Sequence, residues 1–241
     1  MTKFLICVMS CGEPDLPFCL EALKNQKDVD HVEILEFRDM IEVDAHNAVY
    51  QSFNAAPSDM IRGKVDGDVV LNLDALAFVQ RTINVIKSNV WLDPTTHDYF
   101  TDDQLHAGLA FFGSGVTFKH QTLTLKCDRD VNNAIHHNCG CLGIHAGHSD
   151  EWTGFRYGFH RGLKSQLSVY ESVVKAHNRH KDPVRFAAIR GFELAQSDLY
   201  SDYHLHGSPP PMDHNYGNPK LRELYDQYKD PIATLPPRTW R

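Results

Sequence analysis

The chain has 241 residues, a length that suits one large domain with an appendage better than two full domains. Its 42% hydrophobic, 10% aromatic and 23% charged residues are the composition of an ordinary globular protein, which excludes a disordered, collagen-like or coiled-coil chain. With 24 Lys and Arg against 31 Asp and Glu, the net charge of -7 argues against a broad electropositive surface for nucleic acid. The 15 histidines raise the question of a metal site.

The amino-terminal apolar run, residues 4–9, predicts a buried strand, because it is too short for a signal peptide or a membrane span. We therefore expect no transmembrane segment. The six cysteines form no CxxC pair, which predicts reduced thiols and a cytoplasmic protein. Cys139 and Cys141 lie close to His136 and His137, but their spacing lacks the two separated pairs of a zinc finger and favours a structural role.

Strands and helices alternate through the first third of the chain. The pattern predicts strands at 4–9, 32–37 and 60–71 and helices at 18–26 and 45–53. A further helix, capped by Asp74, is predicted from the helical spacing of Leu76, Val79, Ile83 and Ile86. Such alternation indicates an α/β fold with parallel strands.

The remainder of the chain changes in character. Short strands with glycine turns are predicted between 109 and 125, and helices at 169–179 and 184–199. An amphipathic helix follows Ser149, with these residues on one face: Trp152, Phe155, Phe159, Leu163 and Leu167. We expect a single domain over residues 1–206 and an extended Pro-rich tail over 207–241, with one short helix near 221–228, packed on that domain.

The most informative segment is Asp66-Gly67-Asp68, which is flanked by apolar residues. Two carboxylates two residues apart project to the same side of an extended chain, and glycine between them lets the backbone approach a ligand. Hard oxygen ligands of this kind suit Mg²⁺ or Mn²⁺ bound to a diphosphate. The alternative is a surface turn, because Asp-Gly is a common turn dipeptide.

The order of these elements resembles that of the GT-A fold nucleotide-sugar glycosyltransferases, most nearly their family 2-like members. Residues 18–26 match the family's first helix, Asp39 follows the second strand where an acidic residue holds the nucleobase, and Ala45-His46-Asn47 stands where "aRN" is usual. The Asp66/Asp68 pair comes at the family's distance. The resemblance covers about the first 75 residues.

This resemblance implies a GT-A (Rossmann-like) mixed α/β sheet flanked by helices, with a nucleotide-sugar-binding half over about 1–90 and an acceptor half over 91–206. It implies a nucleotide-diphosphate sugar as substrate, with a UDP-sugar favoured, and Mn²⁺ or Mg²⁺ held by Asp66 and Asp68. The donor site is expected at the following residues: Ser10, Glu13, Asp39, Asn47, Lys64, Asp66 and Arg156.

A second resemblance lies downstream, where the family carries an "ED….R….G" helix whose Asp is the catalytic base of inverting members. Asp150 precedes Arg156 by six residues, and Gly162 follows. The acidic order is Asp-Glu rather than Glu-Asp, so either Asp150 or Glu151 would be the base. The alternative is simple capping, because acidic residues are common at the start of helices.

In many GT-A enzymes a late histidine completes the metal shell. The candidates in this sequence are His145 and His148 before the Asp150 helix, and His204 and His206 further on. We expect one of His145, His204 and His206 to reach the metal.

Two other function classes remain open. One is a non-catalytic nucleotide-sugar or saccharide binding protein on a GT-A scaffold. The other is a Mg²⁺-dependent nucleotidyltransferase, although Ser10-Cys11-Gly12-Glu13 is acidic where that class normally has a glycine- and basic-rich loop. The acceptor, and the choice between inversion and retention, are not determined by the sequence.

Overall fold

The structure, a computed structural model, describes residues 3–40, 42–86, 89–106, 108–120, 131–196 and 219–229. The chain divides into two compact units. The first comprises Met1–Asp98 and Gln104–Gly147, and the second comprises Tyr99–Asp103 and His148–Arg241. Most of the predicted tail, 207–241, lies outside the described residues, as do 121–130 within the predicted region of short strands.

The first unit is built on a mixed sheet. Its strands are β1 (Lys3–Ser10), β2 (His31–Arg38), β3 (Met60–Asp66), β4 (Val69–Leu71), β5 (Val90–Asp98), β6 (Asp103–Leu105), β7 (Leu109–Phe112) and β10 (Ile135–His145). The order across the sheet is β2-β1-β3-β7-β5-β10-β4, with β6 beside β5, and β8 (Thr117–Phe118) pairs separately with β9 (Val131–Asn132). Its helices are α1 (Leu16–Lys24), α2 (Glu42–Ala55) and α3 (Ala75–Ile86). The predicted class, a mixed α/β sheet flanked by helices, is confirmed.

Strand β1 lies between β2 and β3, and its apolar run, residues 4–9, is explained by burial on both faces. Phe4, Ile6 and Val8 belong to one core, with residues of α1 and α3. Leu5 and Cys7 belong to a second core, with residues of α2. Alternate side chains of a strand point to opposite faces, so one continuous apolar run supplies both cores.

Five strands of the sheet end at the same edge. β1 runs parallel to β2 and β3. β7 is antiparallel to both β3 and β5, so β5 has the direction of β3, and β10 runs parallel to β5. We call this edge, where β1, β2, β3, β5 and β10 end, the carboxyl edge.

Three features of the sheet differ from the sequence prediction. The predicted strand 60–71 is two strands, because the chain turns at residues 67–68 and β4 pairs antiparallel with β10 at the far side of the sheet. Strands β5 and β10 were not predicted. Their ladder is irregular, with register shifts between Cys139 and Cys141 and between Cys141 and Ile144. Pro94, which lacks an N–H group, pairs with Cys139 at the first shift.

The described part of the second unit contains four helices, α4 (Glu151–Leu163), α5 (Leu167–His180), α6 (Pro183–Ala195) and α7 (Pro219–Tyr228). The predicted apolar face of α4 is confirmed for Trp152, Phe155, Phe159 and Leu163, which are buried together. The prediction is wrong for Leu167, which begins α5 and is 59% exposed. The chain turns before it, with Ser165 in a left-handed conformation at φ 52°.

Helices α4 and α6 approach each other through glycines. A Cβ atom added at Gly158 would lie 1.7 Å from the carbonyl oxygen of Ala188, and one at Gly191 would lie 2.0 Å from that of Phe155. Distances this short exclude any side chain. The contact therefore depends on backbone surfaces packing directly against each other.

The segment Tyr99–Asp103 is fastened to the second unit by charged side chains of α5 and α6. The Arg185 guanidinium lies 4.2 Å from the centre of the Tyr99 ring and donates through Nε to the carbonyl of Phe100 at 3.3 Å. Arg179 donates to Asp102 at 2.6 Å. A hydrogen bond from His180, the charge of that residue and the Arg179 contact outweigh burial and hold the pKa of Asp102 below its usual value.

Within the part of the chain that the structure describes, no helix has the length and apolar character needed to cross a membrane. The five described cysteines, Cys7, Cys11, Cys19, Cys139 and Cys141, are free thiols. Burial, and secondarily the charge of Asp93, raises the pKa of Cys139 to about 11. This thiol also packs against the core of the first unit.

We predict that Gly158→Ala destabilises the protein, although alanine is the better helix former by about 1 kcal/mol. The added methyl group would overlap the backbone of α6, and overpacking of this kind costs about 1–3 kcal/mol or more. Urea denaturation measures the free energy of unfolding. The matched control is Gly140→Ala, where the new Cβ has no neighbour within 4 Å and the expected change is within about 0.5 kcal/mol. A Gly158→Ala variant as stable as the parent would contradict the close packing of α4 and α6.

Candidate functional site

The carboxyl edge brings together polar residues from three neighbouring strands. Ser10 ends β1, Asp66 ends β3, and Asp39 follows β2. The backbone N–H of Asp39 donates to the carbonyl of Ser10 at 2.9 Å, and that of Gly67 donates to the carbonyl of Met9 at 2.7 Å. Three of the residues predicted to bind the donor are thus held at adjacent strand ends by main-chain hydrogen bonds.

Glu13 folds the loop after β1 back toward the acidic pair. It accepts hydrogen bonds from the Ser10 hydroxyl at 2.6 Å and from the Cys11 N–H at 2.9 and 3.0 Å. Burial and the nearby charge of Asp68 raise the pKa of Glu13, against the lowering effect of these hydrogen bonds. Glu13 is therefore a half-buried carboxyl group with a second one nearby.

Gly67 permits this close packing. A Cβ atom at position 67 would lie 2.9 Å from Ser10 Cβ and 3.0 Å from Glu13 Oε2. A contact under 3.0 Å requires the neighbour to move, and here the neighbour is Ser10, the last residue of β1, with Glu13 of the following loop next to it. Glycine between the two aspartates thus lets the loop lie directly against the backbone of the acidic pair.

The first aspartate of the pair has an unused acceptor atom. Asp66 Oδ1 is buried and has no hydrogen-bond partner among the described residues. Its nearest recorded counter-charge is the ammonium of Lys64, at 3.6 Å, and the Lys64 side chain is only 11% exposed. Buried carboxylate oxygens are normally satisfied, so this atom is a candidate ligand for a cation.

The second aspartate is paired with His145. His145 ends β10, and its Nε2 lies 3.1 Å from Asp68 Oδ2, while its Nδ1 lies 2.5 Å from Asp98 Oδ1. The His145 and Asp98 side chains are 5% and 0% exposed. Burial by itself would lower the pKa of the imidazole, but the charges and hydrogen bonds of Asp68 and Asp98 raise it well above 6.5. The ring is therefore held between two carboxylates.

The donor set at the carboxyl edge suits a divalent cation in part. Carboxylates with imidazole are ligands that Mn²⁺ accepts, and the unused Asp66 oxygen would be satisfied by one. Yet no three His, Cys, Asp or Glu side chains among the described residues are arranged to hold a metal ion. Mg²⁺ usually takes one or two protein carboxylates and fills its shell with waters and substrate phosphates. Asp66 and Asp68 fit that role, with His145 beside them.

The remaining predicted residues belong to other elements of the chain. Asn47 is on α2 and half-buried. Arg156 and His148 belong to the second unit. His204 and His206 lie outside the described residues.

Asp150 is the N-cap of α4. Its Oδ1 accepts from the Thr153 N–H at 2.8 Å and from the Thr153 hydroxyl at 2.7 Å. Glu151 is the first residue of the helix. The capping function foreseen for an acidic residue here is present, and Asp150 is exposed to solvent.

The residue that sequence analysis missed is Asp98. It lies at the end of β5, a strand whose buried positions include Pro94 and Thr96 as well as apolar residues, so alternating hydropathy does not reveal it. Its role is visible only when β5 and β10 are paired.

No protein-family model matches this chain, and no curated protein matches it. Among solved structures, S. aureus TarS 1–349 superposes with a TM-score of 0.42 at 10% identity, over 86% of this chain and 75% of that one. A second S. aureus TarS structure gives 0.39 at 12% identity, over 95% and 53%. The Pyrobaculum calidifontis mannosyltransferase PcManGT, in complex with GDP-Man and Mn²⁺, gives 0.37 at 11% identity, over 94% and 87%. Likenesses at these TM-scores carry no argument about family, substrate or residue roles.

We predict that His145→Ala destabilises the protein by about 3–5 kcal/mol, because it leaves the fully buried carboxylate of Asp98 and the 22% exposed carboxylate of Asp68 without their shared partner. Urea denaturation in the presence of EDTA measures this loss without a metal contribution. The matched control is His136→Ala, which removes the 46% exposed partner of Asp93 from the same two strands and should cost no more than about 1 kcal/mol. Equal losses of stability in the two variants would show that the contacts of His145 with Asp68 and Asp98 stabilise the protein no more than the Asp93–His136 pair does.

Proposed function

We propose that this protein is a metal-dependent glycosyltransferase, which transfers a sugar from a nucleotide-diphosphate sugar, preferably a UDP-sugar, to an acceptor hydroxyl. The observation that carries the proposal is the Asp66/Asp68 pair at the carboxyl edge, with a buried, unused oxygen on Asp66. Open α/β sheets bind their ligands outside the carboxyl ends of the strands.

The donor would bind at the carboxyl edge, next to the ends of β1, β2 and β3. Asp39 and Glu13 would face the base and ribose, with Ser10 and Asn47 as further polar contacts. Mn²⁺ or Mg²⁺ held by Asp66 and Asp68 would neutralise the leaving diphosphate. Lys64, whose ammonium lies 3.6 Å from Asp66, adds a fixed positive charge at the same place, and Arg156 is a candidate for a second contact to the diphosphate.

In the transfer step the acceptor oxygen would attack the anomeric carbon of the sugar, and the bond from that carbon to the diphosphate oxygen would break. The acceptor proton would pass to a carboxylate, either Asp150 or Glu151. A single displacement of this kind inverts the anomeric configuration. Asp150 is a candidate for the base because it is exposed to solvent at the amino terminus of α4.

We predict that Asp66→Asn/Asp68→Asn abolishes Mn²⁺-dependent binding of UDP, because two neutral amides replace the cation's carboxylate ligands. Calorimetry with UDP and GDP, with and without Mn²⁺, measures the binding. The control is Asp59→Asn, which changes an exposed aspartate just before β3 and should leave binding unchanged. Undiminished metal-dependent binding in the double variant, or no nucleotide binding by the parent protein, would refute the donor site.

A second prediction separates catalysis from capping at Asp150. Asn caps helices as well as Asp does, so Asp150→Asn should keep the stability, whereas Asp150→Ala should cost about 1 kcal/mol. If Asp150 is the base, Asp150→Asn nevertheless lowers kcat about 10²–10⁴-fold, because an amide cannot accept the proton.

Glu151→Gln is the companion variant, because the acidic order leaves both residues as candidates. Transfer is followed as release of UDP in the presence of acceptor, and stability as the midpoint of thermal unfolding. Full activity in both Asp150→Asn and Glu151→Gln would remove the proposed base and favour a retaining mechanism.

A further inference from the structure

The contact between Asp98 and His145 is a buried feature that the donor site as described does not use. Asp98 is the last residue of β5 and is completely buried. It lies beside His145 in the register of the two parallel strands, and its Oδ1 is 2.5 Å from His145 Nδ1. A carboxylate placed there must have a partner, since an unpaired buried charge is strongly unfavourable.

The same imidazole reaches the acidic pair on its other side, where Nε2 lies 3.1 Å from Asp68 Oδ2. Imidazole has only two ring nitrogens, so a carboxylate fixed at Nδ1 determines where Nε2 points. The backbone does not fix this by itself, because the terminal torsion of histidine is broad. A second carboxylate of this kind commonly sets the orientation of a histidine at a metal centre.

We propose that Asp98 is a positioning residue of the donor site, which holds the His145 ring so that its Nε2 faces Asp68 and the acidic pair is kept in the arrangement that binds the diphosphate with its cation. The inference rests on the proposed function, because it assigns Asp98 to that same site. Asp98 is not expected to touch the donor, and it acts through His145.

The same two strands provide a matched control. Asp93 of β5 contacts His136 of β10 through Oδ2 and Nε2 at 3.0 Å, but this pair is exposed and is not at the carboxyl edge. Asp93 also lies 3.3 Å from His106. Two Asp–His contacts across one strand pair therefore differ in burial and in their distance along the strands from the acidic pair.

The first test measures the affinity of the full chain for Mn²⁺ in the presence of UDP, for the parent, Asp98→Val and Asp93→Val. Valine keeps the approximate volume of aspartate and suits a strand, but it cannot accept from Nδ1. We expect a 10- to 100-fold weaker Mn²⁺ affinity for Asp98→Val, the usual effect of removing an orienting partner, and less than a twofold change for Asp93→Val. A parent-like affinity in Asp98→Val overturns the inference and leaves the proposed function intact. A parent that binds neither Mn²⁺ nor UDP overturns the proposed function and the inference with it.

The second test needs no metal. In the metal-free parent we expect the Nδ1 proton of His145 to give a slowly exchanging NMR resonance, which should vanish in Asp98→Val and persist in Asp93→Val. Its persistence in Asp98→Val overturns the inference.

Circular dichroism establishes that each variant folds. Should Asp98→Val fail to fold, Asp98→Asn replaces it, since the amide keeps the shape but loses the charge. We then expect at least about a fivefold loss of Mn²⁺ affinity, because a hydrogen bond to a charged group is roughly twice as strong as a neutral one. Equal affinity in Asp98→Asn and the parent overturns the inference.

Discussion

The first unit depends on the burial of β1 between two apolar layers. Its side chains at residues 4–8 alternate between the core shared with α1 and α3 and the core shared with α2, so this run has no position left for a functional group. Parallel pairing with β2 and β3 then brings three strand ends to one edge. Ser10, Asp39 and Asp66, the polar candidates at these strand ends, follow the buried runs.

Several carboxyl groups lie close together at the carboxyl edge, where an unpaired buried charge would be strongly unfavourable. Glu13 accepts from the Ser10 hydroxyl and the Cys11 N–H, and Asp66 lies beside the Lys64 ammonium. Asp68 and Asp98 share the His145 ring. Beneath them, burial and then the charges of Asp68, Asp66, Glu13 and Asp15 raise the pKa of Cys19 to about 12. That cysteine therefore remains a neutral thiol that packs in the core and is not a nucleophile.

Sequence patterns predict the parts of this molecule that are governed by local physics. The sequence predicts the apolar run of β1, the helical spacing of α3 and the apolar face of α4, because buried side chains repeat with the known periods of strands and helices. The Asp66-Gly67-Asp68 segment is likewise recognisable, because its chemistry lies in three consecutive residues. The apolar period of α4 also gives no sign that the helix ends before Leu167, because that depends on the left-handed Ser165.

Long-range pairing is what the sequence does not show. β10 exposes most of its residues and β5 includes proline and threonine at buried positions, so neither has the hydropathy of a strand. Asp98 and His145 are 47 residues apart in the sequence, and their contact becomes visible only when β5 is paired with β10. In the sequence the glycines of α4 look like ordinary helix positions. Their role in close packing becomes visible only when α6 is placed against them.

The irregular ladder between β5 and β10 has a consequence for how this site can vary. Ile135 pairs with Val90 and Cys139 with Pro94, but after the two register shifts His145 pairs with Asp98, so β10 has gained two residues on its neighbour. Without those shifts Gly143 would stand beside Asp98 and the imidazole would lie beyond the strand end. Loss of a single residue from this stretch, with the ladder otherwise unchanged, would put Ala146 in the place of His145, next to a buried carboxylate. The length of the chain between Cys139 and His145 is therefore as strictly determined as the identity of the histidine itself.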